Sequence, residues 1–308
     1  MIEENIDLPA PRDPAPPADP GGTGNGAPLW LDDAAAARYT HHSRLPLHAM
    51  VGLDPELADV LDAHFIGCTP DRLREIRQQH AETLARTADA LLAEPGFAAR
   101  LARVPAVTGP RVVVLGDSIT ADSLGWADLL AAGLRRLPGS PSVTVTNLSV
   151  SGSTSAETIA MFDLVVRRRP TCVLAMIGTN DGRRQGAAAD VRTVSPTETE
   201  RNLRALRTLT EADAGSRFVA IAPPPMDQDR FDATAPDGAT VRFTVDDLDA
   251  TLTAVRAAAP DVVDVPALLG STITDDFWVP DGVHPSLTGQ TVLVRHIVDA
   301  LSRLAPAG

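Results

Sequence analysis

Two patterns of apolar and polar positions divide the chain. Between Leu29 and about Val104, apolar residues recur at helical spacing. Leu73, Ile76, Leu84, Ala88 and Leu91 form one stripe with Arg and Glu between them, and Pro95-Gly96 ends the run. Asp54-Pro55 and Thr69-Pro70-Asp71 are helix starts, each a capping side chain followed by proline in the first turn. From Arg111 onward the pattern changes to short apolar runs without alternation, which suit strands covered on both faces. The runs predict strands over 111–115, 143–147, 172–177, 217–222 and 261–265. Between and after them, helical spacing predicts helices near 123–137, 154–168, 197–213, 246–258 and 286–304. Such alternation requires right-handed crossovers and a parallel sheet with helices on both sides, a three-layer α/β/α domain of the α/β class with five strands.

The domain expectation follows: a Pro/Gly-rich tail over 1–28, too poor in large apolar groups to order itself, a helical appendage over 29–104, and a catalytic α/β domain over 105–308. The appendage must cover its stripe. Packing on the catalytic domain is favoured over association with a second copy because the link from Pro105 to Pro110 is short. The stretch from Met226 to Val245 is the longest connection and leaves the carboxyl end of a strand, where connections usually shape substrate access.

Composition narrows the function. The 308 residues carry a net charge of -13, which argues against nucleic acid or an anionic membrane as the main partner. Every basic residue is arginine, so a lysine nucleophile or Schiff base is excluded. Two cysteines, Cys68 and Cys172, cannot form a disulfide framework or a four-thiolate metal site. The start of the chain lacks a cationic, apolar leader, and no run is long enough to span a bilayer, so a cytoplasmic location is expected.

Four segments hold polar residues that no strand or helix interior needs: Gly116-Asp117-Ser118, Asn147 to Gly152, Gly178-Thr179-Asn180-Asp181, and Asp281 to Pro285. The first three follow predicted strands and so converge on one sheet edge, where ligands of parallel sheets collect. Ser118 is the candidate nucleophile, His284 its base and Asp281, three residues earlier, the acid that orients the base. The oxyanion formed by attack on a carbonyl needs fixed donors. The backbone N–H groups of Ser118 and Gly152 and the side-chain amide of Asn180 can supply them. Phe277 and Trp278, just before the acid–base loop, are candidates for a pocket wall, with core packing the competing reading. His41, His42, His48, His64 and His80 crowd the appendage, but no paired Cys or Glu-based ligand motif accompanies them, so no metal site and no cofactor are expected.

Gly-Asp-Ser-Ile-Thr at 116–120, Ser-Gly at 151–152, Gly-Thr-Asn-Asp at 178–181 and Asp-Gly-Val-His-Pro at 281–285 together resemble the ordered motif set of the GDSL, or SGNH, hydrolases. The resemblance covers roughly the last two-thirds of the chain. It implies a flavodoxin-like fold and a serine esterase acting on short acyl, lipid or acetylated-sugar esters. Ser118 would carry the acyl group, Asp281 and His284 would complete the triad, and Gly152 and Asn180 would join the Ser118 N–H in the oxyanion hole. The implied partner is a small-molecule ester. Two other readings stand beside it: an acyltransferase using the same triad, and a binding or scaffold module in which the triad is idle.

Overall fold

The computed structural model describes residues 32–139, 142–235, 239–259 and 261–305; the tail expected over 1–28 lies outside them. Five strands make one parallel sheet: β1 Arg111–Gly116, β2 Thr144–Asn147, β3 Cys172–Met176, β4 Arg217–Ala222 and β5 Val263–Asp264. Their order across the sheet is 2-1-3-4-5, with Val112 level with Cys172, and Cys172 level with Arg217. This is the doubly wound arrangement in which the strand order reverses beside β1, so the crevice at its carboxyl end is the place for a ligand.

The unbroken apolar runs are explained by the two faces. Val112, Val114, Leu174, Met176, Val219 and Ile221 point into one core, with the helices Trp126–Arg136 and Leu287–Arg303. Val113, Leu115, Val173, Ala175, Phe218 and Ala220 point into the other, with Phe162–Arg167, Pro196–Ala212 and Val245–Ala258. Alternate residues thus serve opposite layers, and neither face leaves a polar stripe.

The N-terminal helices lie on the first face. The helix Pro70–Ala93 starts at Thr69, whose hydroxyl accepts the Arg72 N–H, and runs along Trp126–Arg136. Leu91, Phe97, Leu101 and Val104 join the main core, while Ala37, Ala63, Leu73 and Ile76 make a small core of their own. Full burial of side chains such as Phe97 and Leu101 contributes about 2 kcal/mol each. The C-terminal part of the stripe, Leu84 and Leu91, is therefore covered by the α/β layers of the same chain, and Leu73 and Ile76 by the other N-terminal helices.

Four boundaries differ from those the spacing predicts. The helix expected over 154–168 is two, Ser155–Ala160 and Phe162–Arg167, with a break at Met161. The helix expected from 123 begins at Trp126, after a separate short helix Ser118–Ala121. The fifth strand is two residues long because Pro266 and the Asp264 cap start the helix Val265–Leu269 at once. The long connection from Met226 to Val245 contains a helix, Gln228–Thr234, and a two-residue strand, Val241–Arg242. That strand pairs with Arg184–Gln185, which also pairs with Val191–Arg192, in a small antiparallel sheet. The Asp247 carboxylate accepts from both Arg184 and Arg192 and pins this sheet to the helix Val245–Ala258.

Candidate active site

β1 ends at Gly116, and Asp117 in extended conformation caps the next helix, its Oδ1 accepting the Ile119 N–H at 3.0 Å. Ser118 is the first residue of that four-residue helix, so its own N–H has no intrahelical acceptor, and among the described residues it has no other. Its Oγ lies 2.7 Å from His284 Nε2. His284 Nδ1 lies 2.5 Å from Asp281 Oδ2, and Asp281 Oδ1 accepts the N–H groups of Val283 and His284, both at 2.9 Å.

Local backbone makes this loop rigid. Gly282 has φ of +68°, and a Cβ there would stand 2.3 Å from the Asp227 carbonyl oxygen, so only glycine lets the loop pass. The Val279 N–H donates to the His284 carbonyl and the Ser286 N–H to the Phe277 carbonyl, which clamps the two ends of the turn. Burial opposes protonation of His284, but the bonded and charged Asp281 more than offsets it, so the pKa lies above the ordinary 6.5. Asp117 is fully buried; burial pushes its carboxyl up to about 6 despite the bond from Ile119.

The opposite side of Ser118 is formed by the turns after β2 and β3. The Val150 N–H donates to the Gly116 carbonyl, which fastens the 149–152 turn to the end of β1. Gly152 has φ of +82°, a left-handed conformation that L side chains rarely adopt, and its N–H has no acceptor among the described residues. Asn180 is buried in the turn Thr179–Asp181; one N–H of its amide reaches the Ser153 carbonyl at 3.3 Å, and the other is left over. Asp181, next in sequence, accepts from the Ser155 N–H and hydroxyl and from the Thr199 hydroxyl, holding the two turns together. Burial raises its pKa.

The structure thus brings Ser118, Asp281 and His284 into one hydrogen-bonded chain, with the Gly152 and Asn180 turns on linked backbone. The aromatic pair divides. Phe277 is wholly buried in the main core, so it packs there and does not wall a substrate pocket. Trp278, packed edge to face against it at 4.4 Å, borders a cavity with Met226, Asp227 and Ile273. Among the described residues no three His, Cys, Asp or Glu side chains are placed to hold a metal ion, and no helix is long and apolar enough to cross a membrane.

Several residues beside the site carry no motif. The Tyr39 ring lies 5.0 Å from the His284 ring, and the Tyr39 carbonyl accepts the Ser151 hydroxyl at 2.6 Å. Arg38 makes a two-pronged pair with the fully buried Asp122, which Gln290 also contacts. Tyr39 ends the seven-residue helix Asp33–Tyr39, whose alanine-rich sequence has no pattern tied to a site 245 positions later. Only tertiary packing identifies it.

A family model, the GDSL-like lipase/acylhydrolase family, matches residues 114–292, from within β1 into the last helix. The chain belongs to this hydrolase family. Among solved structures, a lipase/acylhydrolase from Enterococcus faecalis is 20% identical with a TM-score of 0.50, covering 65% of this chain and 100% of that one. An alpha/beta hydrolase enzyme from the metagenome of Lake Arreo, Spain, is 23% identical with a TM-score of 0.50, covering 63% of this chain and 96% of that one. At these identities the likeness is one of fold, and it agrees with the three-layer architecture. A search of curated proteins finds no match. The family span leaves out the N-terminal helices, including Tyr39.

Proposed function

We propose that the protein is a serine esterase that hydrolyses a carboxylic ester through an acyl-enzyme on Ser118. The observation that carries this reading is the unbroken chain from Ser118 Oγ through the His284 ring to Asp281, 2.7 Å and 2.5 Å long at its two links. As Oγ attacks the ester carbonyl, Nε2 takes its proton, and Asp281, bonded to Nδ1, stabilises the imidazolium. Negative charge then develops on the carbonyl oxygen. The unengaged N–H groups of Ser118 and Gly152 and the second amide N–H of Asn180 are the donors for it, and donors held in place before the reaction need no reorganisation. His284 returns the proton to the leaving alcohol oxygen, water replaces the alcohol, and the same base activates that water to release the acid.

Fluorophosphonate labelling followed by peptide mapping tests the nucleophile, and a hydrolysis panel over ester chain lengths tests the activity. Ser118 should be the labelled residue, and Ser118→Ala should remove both the label and hydrolysis of every active ester. Hydrolysis by Ser118→Ala within a few-fold of wild type would overturn the assignment.

A further inference from the structure

The N-terminal segment forms, with the turn after β2, an open cavity of about 220 Å³ lined in part by Tyr39, His42, Leu45, Phe65, Val150 and Ser151. Two of its lining residues neighbour the reactive groups. Tyr39 packs on the His284 ring, and Ser151 precedes Gly152. A water needs about 10–15 Å³ of cavity volume, so the cavity has room for a group the size of one small ring.

One polar residue in this lining, His42, is gripped by a carboxylate behind it. Asp62, almost wholly buried, accepts both the His42 backbone N–H at 2.8 Å and His42 Nδ1 at 2.5 Å, a pattern that repeats the grip of Asp281 on His284. The other oxygen of Asp62 is bonded by the Arg77 guanidinium, so the carboxylate is compensated and can only accept. The bond to Asp62 places a ring proton of His42 on Nδ1, so in the neutral ring Nε2 presents the lone pair; among the described residues it has no hydrogen-bond partner. Phe65, itself largely exposed, packs edge-on against the ring at 5.3 Å.

Resting on the reading of Ser118 as an esterase nucleophile, we propose that this cavity receives the alcohol portion of the ester, a small ring or chain with an apolar body and a hydroxyl that donates to His42 Nε2. The alcohol side is indicated by Tyr39, which packs on the base that must protonate the leaving oxygen. Leu45, Phe65 and Val150 supply the apolar contact, and an acceptor oriented in advance by Asp62 favours a substrate that brings the matching donor.

The test compares cyclohexyl acetate with trans-4-hydroxycyclohexyl acetate, two esters of one ring that differ by a hydroxyl. With wild type, kcat/KM should favour the hydroxylated ester by about tenfold, the value of one good hydrogen bond to a polar group. In His42→Phe the preference should collapse to about one. A second variant, Leu45→Trp, fills the cavity while keeping the His42 and Asp62 side chains; it should lower kcat/KM for both cyclohexyl esters relative to methyl acetate by at least about tenfold. Equal use of the two ring esters by wild type, a preference that survives His42→Phe, or a Leu45→Trp enzyme with an unaltered ratio would each overturn the proposal. Fluorophosphonate labelling of Ser118 is measured in the same preparations. Labelling with no hydroxyl preference removes the cavity assignment alone, whereas no labelling in wild type removes the esterase reading beneath it.

Discussion

Replacing Arg38 with methionine should destabilise the protein by about 3 kcal/mol. Asp122 is inaccessible to solvent, and Arg38 supplies its counter-charge through two bonds, Nε to Oδ1 at 2.9 Å and Nη2 to Oδ2 at 2.5 Å. Removing one partner of a buried pair costs about 3–5 kcal/mol because the remaining charge is left uncompensated. Here the Leu124 N–H at 2.9 Å and the Gln290 amide at 3.2 Å still donate to the carboxylate, which places the cost at the lower end. For a chain of this size each kcal/mol moves the melting temperature by about 2–4 °C, so Arg38→Met should melt roughly 6–12 °C lower. Differential scanning calorimetry reads the shift, and the double variant Arg38→Met/Asp122→Asn should recover more than half of it, since the stranded charge is gone. A melting temperature within about 1 °C of wild type, or a double variant no better than the single one, would refute the argument.

Asp281→Asn should lower turnover by about four decades, because the amide can present the wrong tautomer to His284, and a loss below about tenfold in steady-state kinetics would mean another group orients the ring. Activity requires His284 without its second proton. As its pKa is raised, the acid limb of kcat/KM should fall above pH 6.5, and in any Asp281→Asn activity that survives the limb should move down. Asp117 bears on stability: a buried carboxyl raised from 3.8 to about 6 makes stability fall as pH rises through that window and stay low above it. Asp117→Asn keeps the Ile119 cap acceptor and removes the charge, so chemical denaturation should show a gain of up to about 3 kcal/mol near pH 8 and none near pH 4.

The fold was legible where a residue's environment is set by its near neighbours in sequence. Val112 to Leu115 and Cys172 to Ile177 read as strands because burial on both faces removes polar residues from the run. The two-residue strands at Arg184–Gln185 and Val241–Arg242 could not be read this way, since one turn of a ladder leaves no period. Ser118, Asp281 and His284 were legible because the sequence marks their turns, with Gly116 closing a strand before Ser118 and Pro285 following His284 in the loop that also holds Asp281. Phe277 and Trp278 had the composition of a pocket wall, yet adjacent residues face opposite ways in extended backbone, and which of the two enters the core is set by packing distant in sequence. The grip of Asp62 on His42 was invisible for the same reason. A helix of ordinary amphipathic pattern, Pro55–Ile66, hides Asp62 among its buried positions, and its partner Arg77 lies on the next helix.

The Arg38–Asp122 pair also ties the N-terminal segment to the nucleophile. The Asp122 N–H donates to the Ser118 carbonyl at 3.1 Å, and the Ser123 N–H donates to the Arg38 carbonyl at 2.9 Å. A force on Arg38 is thus passed through two hydrogen bonds to the turn that holds Ser118, while Tyr39, the next residue, rests on His284. Removing the N-terminal helices would strip Asp122 of its counter-charge and bare the core faces covered by Phe97 and Leu101, so chemistry, stability and substrate choice would all change at once. Substitutions at His42 and Leu45 leave Arg38 and Asp122 in place. They can alter the cavity while the turn under Ser118 keeps its bonds, and for that reason selectivity in this protein is open to measurement by point substitution and closed to measurement by truncation.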